Sequence, residues 1–262
     1  MIKVNDQIVE QNHFPDGTLL IKQFPYDTKH IITWKYENDS ELFTLICLVG
    51  HLRSHGVENI NLNMPYIPHA RQDRVKNDED VFTLKYFCQV INSLNFTTVK
   101  VLDVHSNVSL ALLDRVVATM PLARIERAIN NISEEKELLA FYPDEGAMKR
   151  YSSMIEIPYA FGIKRRDWAT GKIEGLDVAG CIDKIKGSRI LIVDDICSRG
   201  GTFYHSAKKL KELGAKEIYL YITHCENTIL EGELLISGLI EKVYTTNSIF
   251  TKEHEKIEVF EL

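Results

Sequence analysis

Short runs of branched and aromatic residues recur along the chain at IITW (31–34), INLNMPY (60–66), TVKVLDVH (98–105), LLAFYPD (138–144), YAFGIKR (159–165), RILIVDD (189–195), EIYLYITH (217–224) and KVYTTNS (242–248). Each is bounded by polar or turn-forming residues, the pattern of a buried strand. Between them SELFTLICLVGHLRSHG (40–56), FTLKYFCQVINSLN (82–95) and FYHSAKKLKEL (203–213) space their apolar residues three and four apart, which predicts amphipathic helices. Strands alternating with helices imply an α/β chain of mainly parallel sheets flanked by helices.

Eight strands fit one wide sheet or two smaller ones. The segment from Pro121 to Glu137 is polar and helical and has no strand of its own, so it marks the divide, giving domains 1–118 and 119–262. No repeat, low-complexity tract or glycine-serine linker separates them, which predicts two halves packed tightly. The stretch RRDWATGKIEGLDVAG (165–180) is charged, rich in glycine and without a period, and is expected to form a long mobile loop.

With 262 residues, 45% hydrophobic and 26% charged, the chain has the composition of a soluble globular protein. A net charge of -6 gives no reason to expect nucleic acid or a membrane surface as partner, so any phosphate site is local. Cys47, Cys88, Cys181, Cys197 and Cys225 are scattered and form no CxxC pair, which argues for reduced thiols instead of a disulfide framework or a cysteine zinc site. The start MIKVNDQIVEQ lacks a basic-then-apolar signal and LFTLICLVGHL is too short to span a bilayer; a cytoplasmic location is expected.

The chemistry concentrates at strand ends. In RILIVDDICSRGGTFY a buried strand runs into a helix through a turn. In an open α/β sheet that turn faces the ligand crevice, and glycines let backbone N–H groups at the helix start approach a phosphate. Ser198, Arg199, Gly200, Gly201 and Thr202 form such a loop. Asp194 and Asp195 would repel a bare phosphate but suit sugar hydroxyls or magnesium. The plainer alternative is a polar turn whose aspartates cap the following helix.

Other clusters share this position. Arg71 and Arg74, in a loop stiffened by Pro65 and Pro68, offer donor forks for phosphate oxygens, or else pair with Asp73 and Asp78. His105 and Asp144 are candidate magnesium contacts, although a lone strand-end histidine is more often structural. Lys164, Arg165 and Arg166 form a cationic run that would stabilise charge on a reacting phosphate chain if carried by a lid. FPDGTLL (14–20) reads as a hairpin in which Phe14 could stack on a base and Asp16 accept its hydrogen bonds.

In order and approximate spacing, FPDGT, PYIPHARQDR, LDVHS, PDEGAMKR, KRR and VDDICSRGGT, with TTNSI near the C-terminus, resemble the ribose-phosphate diphosphokinases, also called phosphoribosyl diphosphate synthetases. The resemblance spans nearly the whole chain. It implies two tandem phosphoribosyltransferase-like domains with the active site between them, and transfer of the β,γ-diphosphoryl group of ATP, with Mg2+, to the anomeric hydroxyl of ribose 5-phosphate. By resemblance the first domain binds ATP through Phe14, Asp16, Arg71, Gln72 and Asp73, and Phe14 and Asp16 reach a neighbouring subunit of a homo-oligomer. His105 and Asp144 would hold the metal. Lys164 and Arg166, with His105, would act on the transferred group. Asp194 and Asp195 would orient the ribose, and Ser198 to Thr202 would wrap its 5-phosphate.

Three features depart from the family pattern. The first domain is shorter than usual before Phe14, Thr18 stands where the family has glutamate, and Ser198-Arg199 replaces an Asp-Thr pair in the phosphate loop. The last change makes the loop roomier and more positive, so ADP-ribose is an alternative acceptor, in an NAD-rebuilding role; otherwise Arg199 simply pairs with a nearby acid. A non-catalytic regulatory subunit would be expected to lose the charged positions retained here, and a phosphoribosyltransferase would give ARQDR no task.

Overall fold

The computed structural model describes residues 1–23, 29–132, 138–166 and 173–262, and of residues 164–166, 173 and 174 only the backbone. The chain forms two compact units, Met1–Met120 and Pro121–Leu262. The first contains β1 (Ile2–Val4), β2 (Gln7–Ile8), β3 (Asn12–His13), β4 (Leu19–Leu20), β5 (Lys29–Trp34), α1 (Ser40–Ser54), β6 (Asn59–Asn63), α2 (Thr83–Ser93), β7 (Thr98–Leu102), α3 (Asn107–Leu112) and β8 (Val116–Thr119). Its main sheet has the order β2-β1-β5-β6-β7-β8. Strands β5 to β8 run parallel, and β1 is antiparallel to both its neighbours.

The period-two alternation of β5 turns Ile32 and Trp34 into the core and leaves Lys29 and Ile31 outside. On α1, Leu45, Leu48 and Leu52 recur at helical spacing and are fully buried with them. Burial of each such leucine contributes about 1.5–3 kcal/mol. Truncating Leu48 to alanine is expected to cost about 2–5 kcal/mol, because the surrounding sheet and helices cannot collapse onto the hole. Met120 and Pro121 then close one unit and open the next.

The second unit contains α4 (Leu122–Ile132), β9 (Leu138–Tyr142), α5 (Glu145–Tyr151), β10 (Tyr159–Arg166), β11 (Ile173–Gly180), β12 (Arg189–Cys197), α6 (Gly201–Glu212), β13 (Glu217–Cys225), β14 (Lys242–Thr246) and β15 (Ile257–Phe260). Its seven-stranded sheet is ordered β11-β10-β9-β12-β13-β14-β15 and is parallel except for the β10–β11 pair. Ile190 to Val193 on β12 are all buried, as a central parallel strand covered on both faces requires. Ile190 and Ile192 pack with Phe203, Ala207 and Leu210 of α6. Leu191 and Val193 pack on the opposite face with Ile125 and Ala128 of α4 and Ala147 and Tyr151 of α5.

One expectation is corrected. Residues 165–180 do not form a single long loop: Arg165 and Arg166 belong to β10, and Ile173–Gly180 is the edge strand β11, paired from Ala160↔Gly180 to Arg166↔Ile173. Gly175, Asp177 and Gly180 have poor strand propensity, so the strand is specified by its partner more than by its own residues. Residues 167–172 lie outside the described residues. No helix among the described residues is long and apolar enough to cross a membrane.

Candidate active site

In the second unit the chain leaves β9 for β10 on one side and reaches β12 on the other, so the strand order reverses between β9 and β12. Ligand crevices form at the carboxyl ends of strands at such a switch point. Asp144 follows β9 there, and Asp194 and Asp195 lie near the end of β12. Asp144 is the N-cap of α5, its Oδ1 accepting from Ala147 N at 3.1 Å. Asp194 accepts from the backbone N–H of Asp195 at 3.0 Å. Burial first, then the neighbouring Asp195 and the charge of Asp144, push the Asp194 carboxyl well above the usual carboxylate range. Asp195 faces Arg150, with Nη1 3.1 Å from Oδ2.

The loop after β12 turns on Gly200, which has φ +80 and is the N-cap of α6. A Cβ at Gly200 would lie 2.9 Å from Leu234 Cδ2, so glycine is required both by the left-handed backbone and by the close approach. Behind the loop, a Cβ at Gly232 would lie 1.9 Å from the carbonyl oxygen of Arg199. Gly201 and Thr202, in the first turn of α6, are exposed. Helix geometry leaves the N–H groups of that turn without intrahelical acceptors, and the dipole favours an anion there. Arg199 extends into solvent and pairs with Glu231 at 3.2 Å.

In the first unit the ARQDR and LDVHS loops meet around Asp73. Arg74 grips Asp73 with two bonds, Nε–Oδ1 at 2.6 Å and Nη2–Oδ2 at 2.9 Å. That contact, a hydrogen bond from Ser106 and the charge of His105 hold the Asp73 carboxyl down at about 2. Arg74 is therefore committed to its neighbour, whereas Arg71 and Gln72 are exposed. Gln72 Oε1 accepts from Thr83 Oγ1 at 2.8 Å. Ser106 caps α3 through a bond from Val108 N. Sequence reasoning missed Asp103, a fully buried carboxylate with φ +44 two residues before His105. Its only local signal was an acid at the end of an apolar run, and aspartate is among the few residues that tolerate that backbone region.

Phe14 stands half exposed at the tip of the β3–β4 hairpin. Asp16 Oδ1 accepts from both Thr18 N at 3.0 Å and Thr18 Oγ1 at 2.7 Å, which lowers its pKa. Thr18 thus fixes the acid within the turn. Lys164 pairs with Leu176 across the β10–β11 ladder, and Arg166 with Ile173; their side chains lie outside the described residues. His105 belongs to the first unit and Asp144 to the second.

No family model matches the chain. It is 29% identical over 252 residues to a ribose-phosphate pyrophosphokinase of Thermococcus kodakarensis, covering 93% of this chain and 86% of that protein. The enzyme of the same name from Saccharolobus solfataricus is 28% identical over 244 residues, covering 90% and 79%. That from Bacillus subtilis is 27% identical over 228 residues, covering 85% and 70%. The crystal structure of phosphoribosylpyrophosphate synthetase from Mycobacterium smegmatis superposes with a TM-score of 0.79 at 18% identity, covering 97% of this chain and 86% of that one. Over most of its length the chain is similar to ribose-phosphate pyrophosphokinases of archaea and bacteria. The likeness to the mycobacterial structure establishes the fold, with two α/β units of mainly parallel strands.

The donor set in the second unit bears on whether magnesium could be held there. Among the described residues no group of three or more His, Cys, Asp or Glu side chains is arranged to hold an ion. Burial first, with the charges of Asp195 and Asp144 added to it, raises the Asp194 carboxyl. Magnesium commonly takes one or two carboxylates and completes its shell with water and substrate phosphate oxygens.

Proposed function

We propose that this chain transfers the β,γ-diphosphoryl group of ATP to the anomeric hydroxyl of ribose 5-phosphate, giving phosphoribosyl diphosphate and AMP. The observation that carries this reading is the order of groups at the end of β12: two carboxylates, then a glycine turn into a helix N-terminus. Carboxylates accept from vicinal sugar hydroxyls, and the first turn of α6, which follows along the same chain, binds the 5-phosphate. Asp194 and Asp195 orient the ribose, while Ser198, Gly200, Gly201 and Thr202 hold its phosphate.

In this reading Arg71, Gln72 and Asp73 line the nucleotide site, and Phe14 and Asp16 contact adenine. His105 and Asp144, each in its own unit, are candidate contacts for Mg2+, which would supply positive charge to the triphosphate. Attack at the β-phosphorus needs the acceptor hydroxyl in line with the departing AMP oxygen, so the protein's main task is positioning. Lys164 and Arg166 supply positive charge where the equatorial oxygens gain negative charge.

The alternative acceptor is ADP-ribose. Arg199, after β12, has its side chain 74% exposed and pairs with Glu231, itself exposed, the arrangement expected if the acceptor is ribose 5-phosphate. Such a pair is worth about 0–1 kcal/mol, so the guanidinium is readily transferred to a second phosphate, as in ADP-ribose. Both readings are tested by offering ribose 5-phosphate and ADP-ribose separately with ATP and magnesium, following AMP by chromatography and the new diphosphate by phosphorus NMR. Turnover of ribose 5-phosphate supports the first reading, and preference for ADP-ribose replaces it with the second. AMP release with neither would sink both.

A further inference from the structure

Strand β12 turns successive side chains to opposite faces. Leu191 and Val193 point toward α4 and α5, and Asp195 continues that row. Helix α5 is only seven residues long and begins at its Asp144 cap. Near its end it presents Arg150, whose Nη1 lies 3.1 Å from Asp195 Oδ2. Both partners are withdrawn from solvent, with side-chain exposures of 23% and 5%. The guanidinium carbon also lies 5.8 Å from the ring centre of Tyr151, which is fully buried and stacked against Tyr142. The cation is thereby backed by a fixed aromatic wall.

Two adjacent acids at one strand end repel each other, and Asp144 adds to that field. A flexible carboxylate would swing away from its neighbours into solvent. Granting the acceptor role of Asp194 and Asp195 proposed above, on which this step rests, we infer that Arg150 is a positioning residue for the ribose of the acceptor. It holds the Asp195 carboxylate in one orientation at the sheet edge and acts on the acceptor through that carboxylate. Lysine would keep the charge of this contact on a flexible stem without arginine's planar geometry, so it reproduces the hold only in part.

The test compares wild type, Arg150→Met, Arg150→Lys, Asp195→Asn and the double variant Arg150→Met/Asp195→Asn, in steady-state kinetics and by calorimetric titration with ribose 5-phosphate. Arg150→Met is expected to raise the acceptor KM about tenfold while the ATP KM stays within about twofold, and Arg150→Lys to recover part of the loss. In the Asp195→Asn background, Arg150→Met should change the acceptor KM less than about twofold, since its effect travels through the missing carboxylate. Equal effects on both KM values, full additivity in the double variant, or wild-type behaviour of both single Arg150 variants would each overturn the inference. If Arg150→Met does not fold, Arg150→Lys against Asp195→Asn carries the same comparison. A wild type that neither binds nor turns over ribose 5-phosphate overturns the functional reading itself, a result separable from flat Arg150 variants in an active enzyme.

Discussion

Arg199 Nη2 lies 3.2 Å from Glu231 Oε2, and the backbone carbonyl of the same arginine is packed against Gly232. Side chain and main chain of the phosphate loop are thus fastened to one neighbouring segment. The ion pair is exposed, so Glu231→Gln should shift stability by less than about 1 kcal/mol. It should also release a cation beside the anion site. The expected result is a severalfold lower acceptor KM with a steeper dependence on salt, measured by kinetics between low and physiological ionic strength. An unchanged KM at every salt concentration would mean that Arg199 does not reach the acceptor.

The backbone contact should matter more. A methyl group at Gly232 would overlap the Arg199 carbonyl at 1.9 Å, so Gly232→Ala must displace the loop. Gly200→Ala adds a left-handed alanine, at about 1–2 kcal/mol, to a clash with Leu234. Both variants are expected to raise the acceptor KM by more than tenfold while ATP binding is retained, as read by calorimetry with each ligand.

Asp73 gives a pH-dependent prediction. Its carboxyl is held down at about 2 by Arg74, Ser106 and His105, below the usual value of 3.8. A group with a depressed folded pKa contributes stability that is full above its unfolded value and is lost as pH falls toward the folded one. The contribution should therefore fade between about pH 4 and pH 2. Asp73→Asn should lower stability by about 1 kcal/mol at neutral pH, because Arg74 is largely exposed, and remove this part of the acid dependence, measured as urea midpoints across the range.

Lys164→Ala should separate binding from transfer. If the lysine stabilises charge on the migrating diphosphoryl group, kcat falls by about 10²–10³-fold while the ATP dissociation constant changes less than about twofold. Equal losses in both would make Lys164 a nucleotide anchor instead.

The architecture was readable because its strands are short apolar runs bounded by turns: IITW, TVKVL and RILIV all lie in strands, and α1 and α2 carry clear three-and-four spacing. Strand β11 was not readable, since glycine and charge broke its alternation and only the ladder with β10 defines it. Helix α5 is too short to show a period. The turn residues of the phosphate loop announced themselves by composition. By contrast, the Asp195–Arg150 pair and the packing of Gly232 on Arg199 join residues distant in sequence, and no local pattern encodes them. The fixed arrangement Asp73–Arg74 was present in the sequence as adjacency, but adjacency alone did not distinguish it from a fork open to phosphate.

Strand β12 lies between β9 and β13, in register with both. A central strand cannot slide without exchanging every inward and outward residue, so the offset between Asp194 and Asp195 across the sheet is as rigid as the sheet itself. In the proposed acceptor role the two carboxylates would act as a fixed ruler for a pair of hydroxyls. Discrimination among sugar epimers is then a matter of stereochemical fit to that ruler, and it should persist under loop substitutions that change affinity.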